Sequence, residues 1–288
     1  RTFIAEWLKE LVKKPGETEL PSEIEGLLND CVVYAYGALD KPFRKLSHVV
    51  QCLPRSFGRW HELNRWLNEG PERTRGQLAW LFDNDQDALQ FNFDKVGFDV
   101  TWLMDDMPES VSTPVYAYIL HRMKQSMDGK RLTSFVIDEA WQVLKSPYWL
   151  SKLEHWLPSI RKKNGHFIFM TQSPETVLDS QISPVLLTNL ATSIYFPNPR
   201  ASSDIYEQGL GLTHAEYQTI KNINPASRLF LYKQENDAMV CRFDLSELTD
   251  ALRVFSGNKK SVSLFDSLCQ KKKSHPHTCI DAFIEESR

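Results

Sequence analysis

Apolar residues along the first quarter of the chain recur every three or four positions, the period of amphipathic helices. Phe3, Ile4, Trp7, Leu8, Leu11 and Val12 form one face, which Pro15-Gly16 terminates. Ser22, with Glu25 three residues on, has the form of a capping box. It would open a second helix whose face is Ile24, Leu27, Leu28, Cys31, Val32, Ala35 and Leu39. Shorter patterns follow at Leu46, Val49, Val50 and Leu53, then at Trp60, Leu63, Trp66 and Leu67. No strand pattern interrupts them, which predicts an all-α subdomain over 1–77, with a polar turn region at 68–76 rich in Gly, Pro and charge.

The period then changes. Residues 78–82 and 98–104 read as strands, and Val115, Ile119, Met123 and Met127 place a helix over 113–127, stopped by Gly129. A strand over 133–138 is followed by a helix carrying Leu150, Leu153, Leu157 and Ile160, and further strands are expected over 166–171 and 191–196. Strand, helix, strand, helix, strand predicts an α/β fold: a mostly parallel sheet with helices on both faces. Residues 228–233 and 238–244 flank the polar turn Gln234-Glu235-Asn236-Asp237 and read as a hairpin. The expected core therefore spans 78–258. The tail, 259–288, reads as one or two helices around a Lys-rich, Pro-containing break.

At 288 residues the chain holds one large domain or two smaller ones. Its net charge of −3 gives no global basic field for nucleic acid, so DNA as a partner has no support from charge. Basic residues cluster locally at Arg161-Lys162-Lys163 and Lys271-Lys272-Lys273, read as solvated surface. Cys31, Cys52, Cys241, Cys269 and Cys279 are scattered without a C-x-x-C pair, which speaks against zinc and for buried thiols in a reducing compartment. The trio His275, His277 and Cys279 matches no common metal spacing and reads as polar linker. No run approaches the ~18 apolar residues of a membrane span. The amino terminus lacks an initiator Met and a signal-peptide pattern, so the chain is expected to be an internal piece of a longer protein.

The chemistry gathers around Phe135-Val136-Ile137-Asp138-Glu139. An apolar run ending in two carboxylates is how a buried parallel strand delivers acids to the carboxyl edge of a sheet, where ligands of α/β folds bind. In nucleotide-hydrolysing motors such a strand holds Mg²⁺ through its first acid and positions water through its second. That assigns Asp138 to the metal and Glu139 to the water; the plainer reading is a helix N-terminus decorated with acids. Thr171-Gln172, closing the 166–171 strand, would point into the same crevice, where an amide can contact both a γ-phosphate and the water beside it. Otherwise it is an ordinary strand exit. Arg161 precedes Gln172 by eleven residues, at the end of the intervening helix. Its guanidinium suits a phosphate on a neighbouring subunit, or simply balances a helix dipole. The phosphate loop G-x-x-x-x-G-K-[ST] is missing: Gly129-Lys130 is followed by Arg131, and position 124 is Lys.

The order of short motifs resembles the C-terminal motor domain of the large ATPase of bacterial type IV secretion and conjugation machines. The resemblance covers nearly the whole chain. It runs through Trp80-Leu-Phe-Asp-Asn84, Gly97-Phe-Asp-Val-Thr101, Asp128-Gly129 and Ile137-Asp-Glu-Ala-Trp141. It continues through Arg161-Lys162 with Asn164-Gly165, Thr171-Gln-Ser-Pro174, Phe196-Pro-Asn-Pro199 and Gly211-Leu-Thr213, to Arg228-Leu-Phe-Leu-Tyr-Lys-Gln234 and Phe255-Ser-Gly257.

The resemblance implies a RecA-like P-loop NTPase core with an all-α subdomain, using ATP and Mg²⁺. It implies that Asp138 and Glu139 form the second nucleotide motif, that Gln172 senses the γ-phosphate beside Thr171, and that Arg161 is an arginine finger. Arg228, Lys233 and Gln234 would lie in a late motif near the nucleotide or subunit edge. It further implies hexamers or dimers of trimers at the cytoplasmic face of the inner membrane, working with other secretion subunits. The absent phosphate loop lies upstream in that family, so residues 1–288 alone are expected to be inactive. Two other readings use the same residues: a DNA-translocating motor of the coupling-protein kind, and a non-hydrolysing scaffold whose partner surface includes Trp60 and Trp66. Core packing is the plainer use of those two tryptophans.

Overall fold

The computed structural model describes residues 1–70, 75–89, 91, 94–144, 146–272 and 276–287. Residues 71–74 of the expected turn, and Lys273 and His275 of the lysine cluster and the His/Cys trio, lie outside them. The chain divides into two compact units, Arg1–Asn189 and Leu190–Arg288.

The first unit begins with α1 (Thr2–Val12) and α2 (Ser22–Ala38), followed by the short α3 (Leu46–Val49) and α4 (Trp60–Asn64). The faces read from the sequence are the ones buried: Trp7, Leu8, Leu11 and Val12 on α1, and Leu28, Cys31, Val32 and Ala35 on α2. Trp66 is fully buried and donates its indole N–H to the Leu11 carbonyl at 3.1 Å, so its polar edge is satisfied inside the core. The capping box at Ser22 does not form. Pro21 occupies the N-cap position and Ser22 is already the first helical residue, with no side-chain cap.

The segments expected as strands at 78–82 and 98–104 are helical turns, α5 (Ala79–Phe82) and α6 (Thr101–Asp105). Apolar runs of this length fit either structure, and the flanking polar residues decide. Asn84 donates to the carbonyls of Trp80 and Leu81 at the end of α5, and Asp99 accepts the Thr101 N–H at 3.0 Å at the start of α6. Buried Asp83 accepts the N–H groups of Ser47 at 2.9 Å and Asn68 at 2.6 Å, tying three separate stretches of chain together.

α7 (Glu109–Ser126) joins the helical part to the sheet-bearing part. It gives Val111 and Ala117 to the core formed by α1–α4, and Val115, Tyr116 and Leu120 to a second core that includes Leu150, Leu153 and Leu186. The indole of Trp7 donates to the Pro114 carbonyl on this helix at 3.0 Å. β1 (Thr133–Ile137), the short α8 (Ala140–Val143), α9 (Pro147–Trp156) and β2 (Gly165–Phe169) follow, then α10 (Pro174–Leu178) and α11 (Ser183–Asn189). β1 and β2 pair in parallel, Thr133 opposite Gly165 and Ile137 opposite Phe169. Phe167 packs against the second core and the buried Phe135 against Phe167, with ring centroids 5.3 Å apart, whereas Val136 and Ile168, one residue on, are exposed. Among the described residues, the face of this pair that bears Val136 and Ile168 is the exposed one.

The second unit holds β3 (Thr192–Tyr195), α12 (His214–Asn222), β4 (Leu229–Gln234) and β5 (Asp237–Arg242). β3 was expected beside the parallel strands; it pairs antiparallel with β4, which pairs antiparallel with β5. The β4–β5 hairpin turns at Glu235-Asn236, with Glu235 at φ +52. Tyr206, Leu212, Tyr217, Ile220 and Leu231 form its core. A capping box does occur here: Thr213 accepts the Glu216 N–H while the Glu216 carboxylate accepts the Thr213 N–H. The expected tail helices are α14 (Lys259–Lys272) and α15 (Pro276–Glu286), preceded by α13 (Thr249–Phe255), and Phe265 meets Phe283 edge-on at 5.6 Å.

Candidate functional site

Two parallel strands deliver the residues that follow them to the same edge, so β1 and β2 bring the ends of their motifs together. The ladder runs on beyond the strands: Met170 N–H donates to the Ile137 carbonyl and Ala140 N–H to the Met170 carbonyl, both at 2.9 Å. Between these two bonds sit Asp138 and Glu139. Glu139 takes φ +49, in the left-handed region that non-glycine residues seldom occupy. Such conformations gather at functional sites, where the surrounding structure imposes them. Here the clamps on either side do so, because the Glu139 N–H is also taken by Asp138 Oδ1 at 2.9 Å.

The half-buried Glu139 carboxylate is held at both oxygens. Gln172 Nε2 donates to Oε1 at 3.1 Å, and the Trp141 indole Nε1–H donates to Oε2. Asp138, Thr171 and Gln172 are exposed at the same edge. The Thr171 hydroxyl is engaged locally, accepting the Ser173 N–H at 3.1 Å and so shaping the turn into α10. The structure thus brings Asp138, Glu139, Thr171 and Gln172 to one place. It adds Trp141, which sequence reasoning passed over. Its signal was present in Asp-Glu-Ala-Trp: an aromatic donor two residues past the second acid, on the first turn of a helix.

Arg161 is elsewhere. The helix expected to carry it ends at Trp156, and Arg161 lies in a 3-10 turn, Ile160–Lys163, just before β2. It is therefore at the amino edge of the strand whose carboxyl edge bears Gln172, roughly 16 Å of strand away at ~3.3 Å per residue. Asn164, at φ +54, and Gly165 make the turn between them. A Cβ on Gly165 would come within 2.8 Å of Ile160, so this close approach requires glycine.

Arg228, Lys233 and Gln234 belong to the second unit and do not converge. Arg228, at φ +57, precedes β4, and Gln234 ends it, roughly 20 Å away at ~3.4 Å per residue. The Lys233 ammonium bonds both oxygens of the buried Glu216 carboxylate, at 2.9 and 2.8 Å. Burial alone would raise the Glu216 carboxyl; the Lys233 ammonium and the Thr213 N–H outweigh it and hold the group below its ordinary value. Gln234 is exposed and accepts from the Tyr232 hydroxyl at 3.4 Å.

Among the described residues, no group of three or more His, Cys, Asp or Glu side chains is gathered as a metal cage. Mg²⁺ binds through one or two carboxylates and completes its shell with substrate phosphates and water. An exposed Asp138 beside Glu139 fits that pattern. Among the described residues, no helix is long and apolar enough to cross a membrane.

No family model matches the chain. Individual proteins do. The type IV secretion system protein PtlC of Bordetella pertussis is 35% identical over 246 residues, covering 83% of this chain and 30% of PtlC. The type IV secretion system protein virB4 of Brucella abortus is 32% identical over 253 residues, 85% of this chain and 30% of that protein. The virB4 protein of Bartonella henselae is 30% identical over 286 residues, 98% of this chain and 35% of that protein. The chain thus spans about a third of the length of the curated relatives it matches. In three dimensions it resembles VirB4 of Thermoanaerobacter pseudethanolicus, with a TM-score of 0.61 and 16% identity over 86% of this chain and 69% of that one. That likeness establishes the α/β fold, and the matches over most of the sequence establish the lineage: the chain belongs to the VirB4/PtlC family of type IV secretion system proteins.

Proposed function

We propose that the chain carries the hydrolytic carboxylates of an ATPase that energises assembly of, and substrate transfer through, a type IV secretion system. The observation that carries this reading is the Glu139 carboxylate, fixed by Gln172 from the adjacent parallel strand at the edge where Asp138 also stands. In the reaction, Glu139 accepts a hydrogen bond from the attacking water and aligns it with the γ-phosphate of ATP. Gln172 turns its amide to that phosphate, and Asp138 would hold Mg²⁺, whose charge would offset that of the phosphates when it is bound with the nucleotide. Arg161, at the opposite edge from these residues, suits a phosphate held by a neighbouring copy, consistent with work as a hexamer or dimer of trimers. Arg228 and Gln234 are assigned to a nucleotide or subunit edge. Lys233, committed to Glu216, supports that edge by holding the second unit together. The assembly is placed peripherally at the cytoplasmic face of the bacterial inner membrane, beside other subunits of the secretion system.

Residues 1–288 contain no phosphate loop. The reading assigns the cradle for the β- and γ-phosphates to another segment of the longer protein, and so predicts that the isolated chain does not turn over ATP. Mg-ATP hydrolysis by the full-length protein and by residues 1–288, measured side by side, tests this. Turnover confined to the full-length protein is expected. Comparable turnover by the isolated chain would contradict the assignment of the cradle, and none in the full-length assembly would favour a scaffold.

A further inference from the structure

Glu139 has two hydrogen-bond donors, and they differ in kind. Gln172 sits on an exposed strand exit and reaches across from β2, and its amide is free to rotate toward another acceptor. Trp141 lies two residues from Glu139 in the same turn of chain, half-buried, at the start of α8. Its neighbour Ala140 is fully buried and bonded through its N–H to the Met170 carbonyl, so the indole stands on backbone anchored to both strands. An indole N–H can only donate, whereas the amide of Gln172 both donates and accepts.

If Gln172 reads the γ-phosphate, it has to leave Glu139 when nucleotide arrives. A carboxylate held by Gln172 alone would on its release regain rotation about its last side-chain bond, which has broad, shallow preferences. Alignment of the water would then be lost just when it is needed. The indole bond to Oε2 is unaffected by that exchange. We infer that Trp141 is a positioning residue, keeping the Glu139 carboxylate aligned while Gln172 is handed from Glu139 to the γ-phosphate. The inference rests on the proposed water-orienting role of Glu139. Trp141 itself touches no reacting atom.

The test is steady-state Mg-ATP hydrolysis by the full-length protein carrying Trp141→Phe, Trp141→His or, as a control, Glu139→Gln. Phe keeps the ring and removes the N–H; His restores an N–H donor on a smaller ring. For Trp141→Phe, kcat should fall about 10- to 100-fold, the scale of a misplaced catalytic group, with KM changed less than about twofold. Trp141→His should recover at least about tenfold in kcat over Trp141→Phe. Unchanged kcat in Trp141→Phe, with Glu139→Gln inactive, would overturn the inference and leave the ATPase reading standing. Equal kcat in the His and Phe variants would also overturn it, since packing alone would then explain the loss. Full activity in Glu139→Gln would instead remove the role of Glu139 on which the inference depends.

Discussion

At the scale of single residues, the two kinds of acid in this chain show why some roles are legible in sequence and others are not. Asp138 and Glu139 stand out because an apolar strand ends in them, and Gln172 because another does. The parallel pairing of β1 and β2 then brings all three to one edge. Asp83 also follows an apolar run read as a strand, in Trp-Leu-Phe-Asp-Asn, so the pattern alone does not separate its structural role from theirs. Its work depends on Ser47 and Asn68, which only the folded chain places beside it. Replacing Asp83 with Ala leaves one buried and one part-buried N–H group without acceptors, and the loss should be about 2–4 kcal/mol, at ~1–3 kcal/mol for each unsatisfied group and partial relaxation. Urea denaturation of residues 1–189 within the whole chain, followed through the buried Trp66, measures it; a loss below about 0.5 kcal/mol, the range of ordinary surface changes, would show that water replaces the carboxylate.

At the scale of elements, long periodic patterns were readable and short apolar runs were not. α1, α2 and α7 lie where 3.6-residue spacing puts them, since many turns average out local preferences. The runs at 78–82 and 98–104 are too short to carry a period, and Asn84 and Asp99 settled them as helical turns. The strand at Thr192–Tyr195 was read correctly as a strand but given the wrong neighbours, because pairing is set by β4, which lies more than thirty residues further on. Pairing across the fold also involves Lys233, placed by resemblance near the nucleotide or subunit edge; its ammonium bonds Glu216. Lys233→Met should destabilise the second unit by about 2–4 kcal/mol by leaving a buried carboxylate uncompensated. Nucleotide affinity of the full-length protein should stay unchanged; a selective loss of affinity without loss of stability would return Lys233 to the nucleotide.

The Glu216 pair also fixes a pH dependence. A carboxyl held below its ordinary value binds fewer protons folded than unfolded. Its contribution to stability is complete above the unfolded value, near 4.5, and is lost as pH falls through the lower folded value. Thermal melting of the second unit between pH 6 and pH 3 should therefore show an acid-sensitive component, and Glu216→Gln should remove that component. An unaltered acid slope in the variant would place the sensitivity on other carboxylates.

At the scale of the molecule, the proposed reading has residues 1–288 supply the carboxylates and the amide of a nucleotide-hydrolysing site, Asp138, Glu139 and Gln172, which the fold brings to one edge. The geometry also separates Arg161 from the carboxylates by the length of β2, so the proposed reading pairs it with a phosphate on another copy. What stayed illegible at this scale are the relations that a single chain does not encode: the cradle for the phosphates, and the neighbours in an assembly. The most direct measurement is on the full-length protein carrying Glu139→Gln, with Mg-ATP affinity and single-turnover hydrolysis determined together. The account predicts affinity within a few-fold of the unaltered protein and a fall in the hydrolysis rate of about 10²- to 10⁴-fold, the scale of losing a positioned proton acceptor. Hydrolysis at the unaltered rate would contradict the assignment of Glu139, and with it the ATPase reading of this edge.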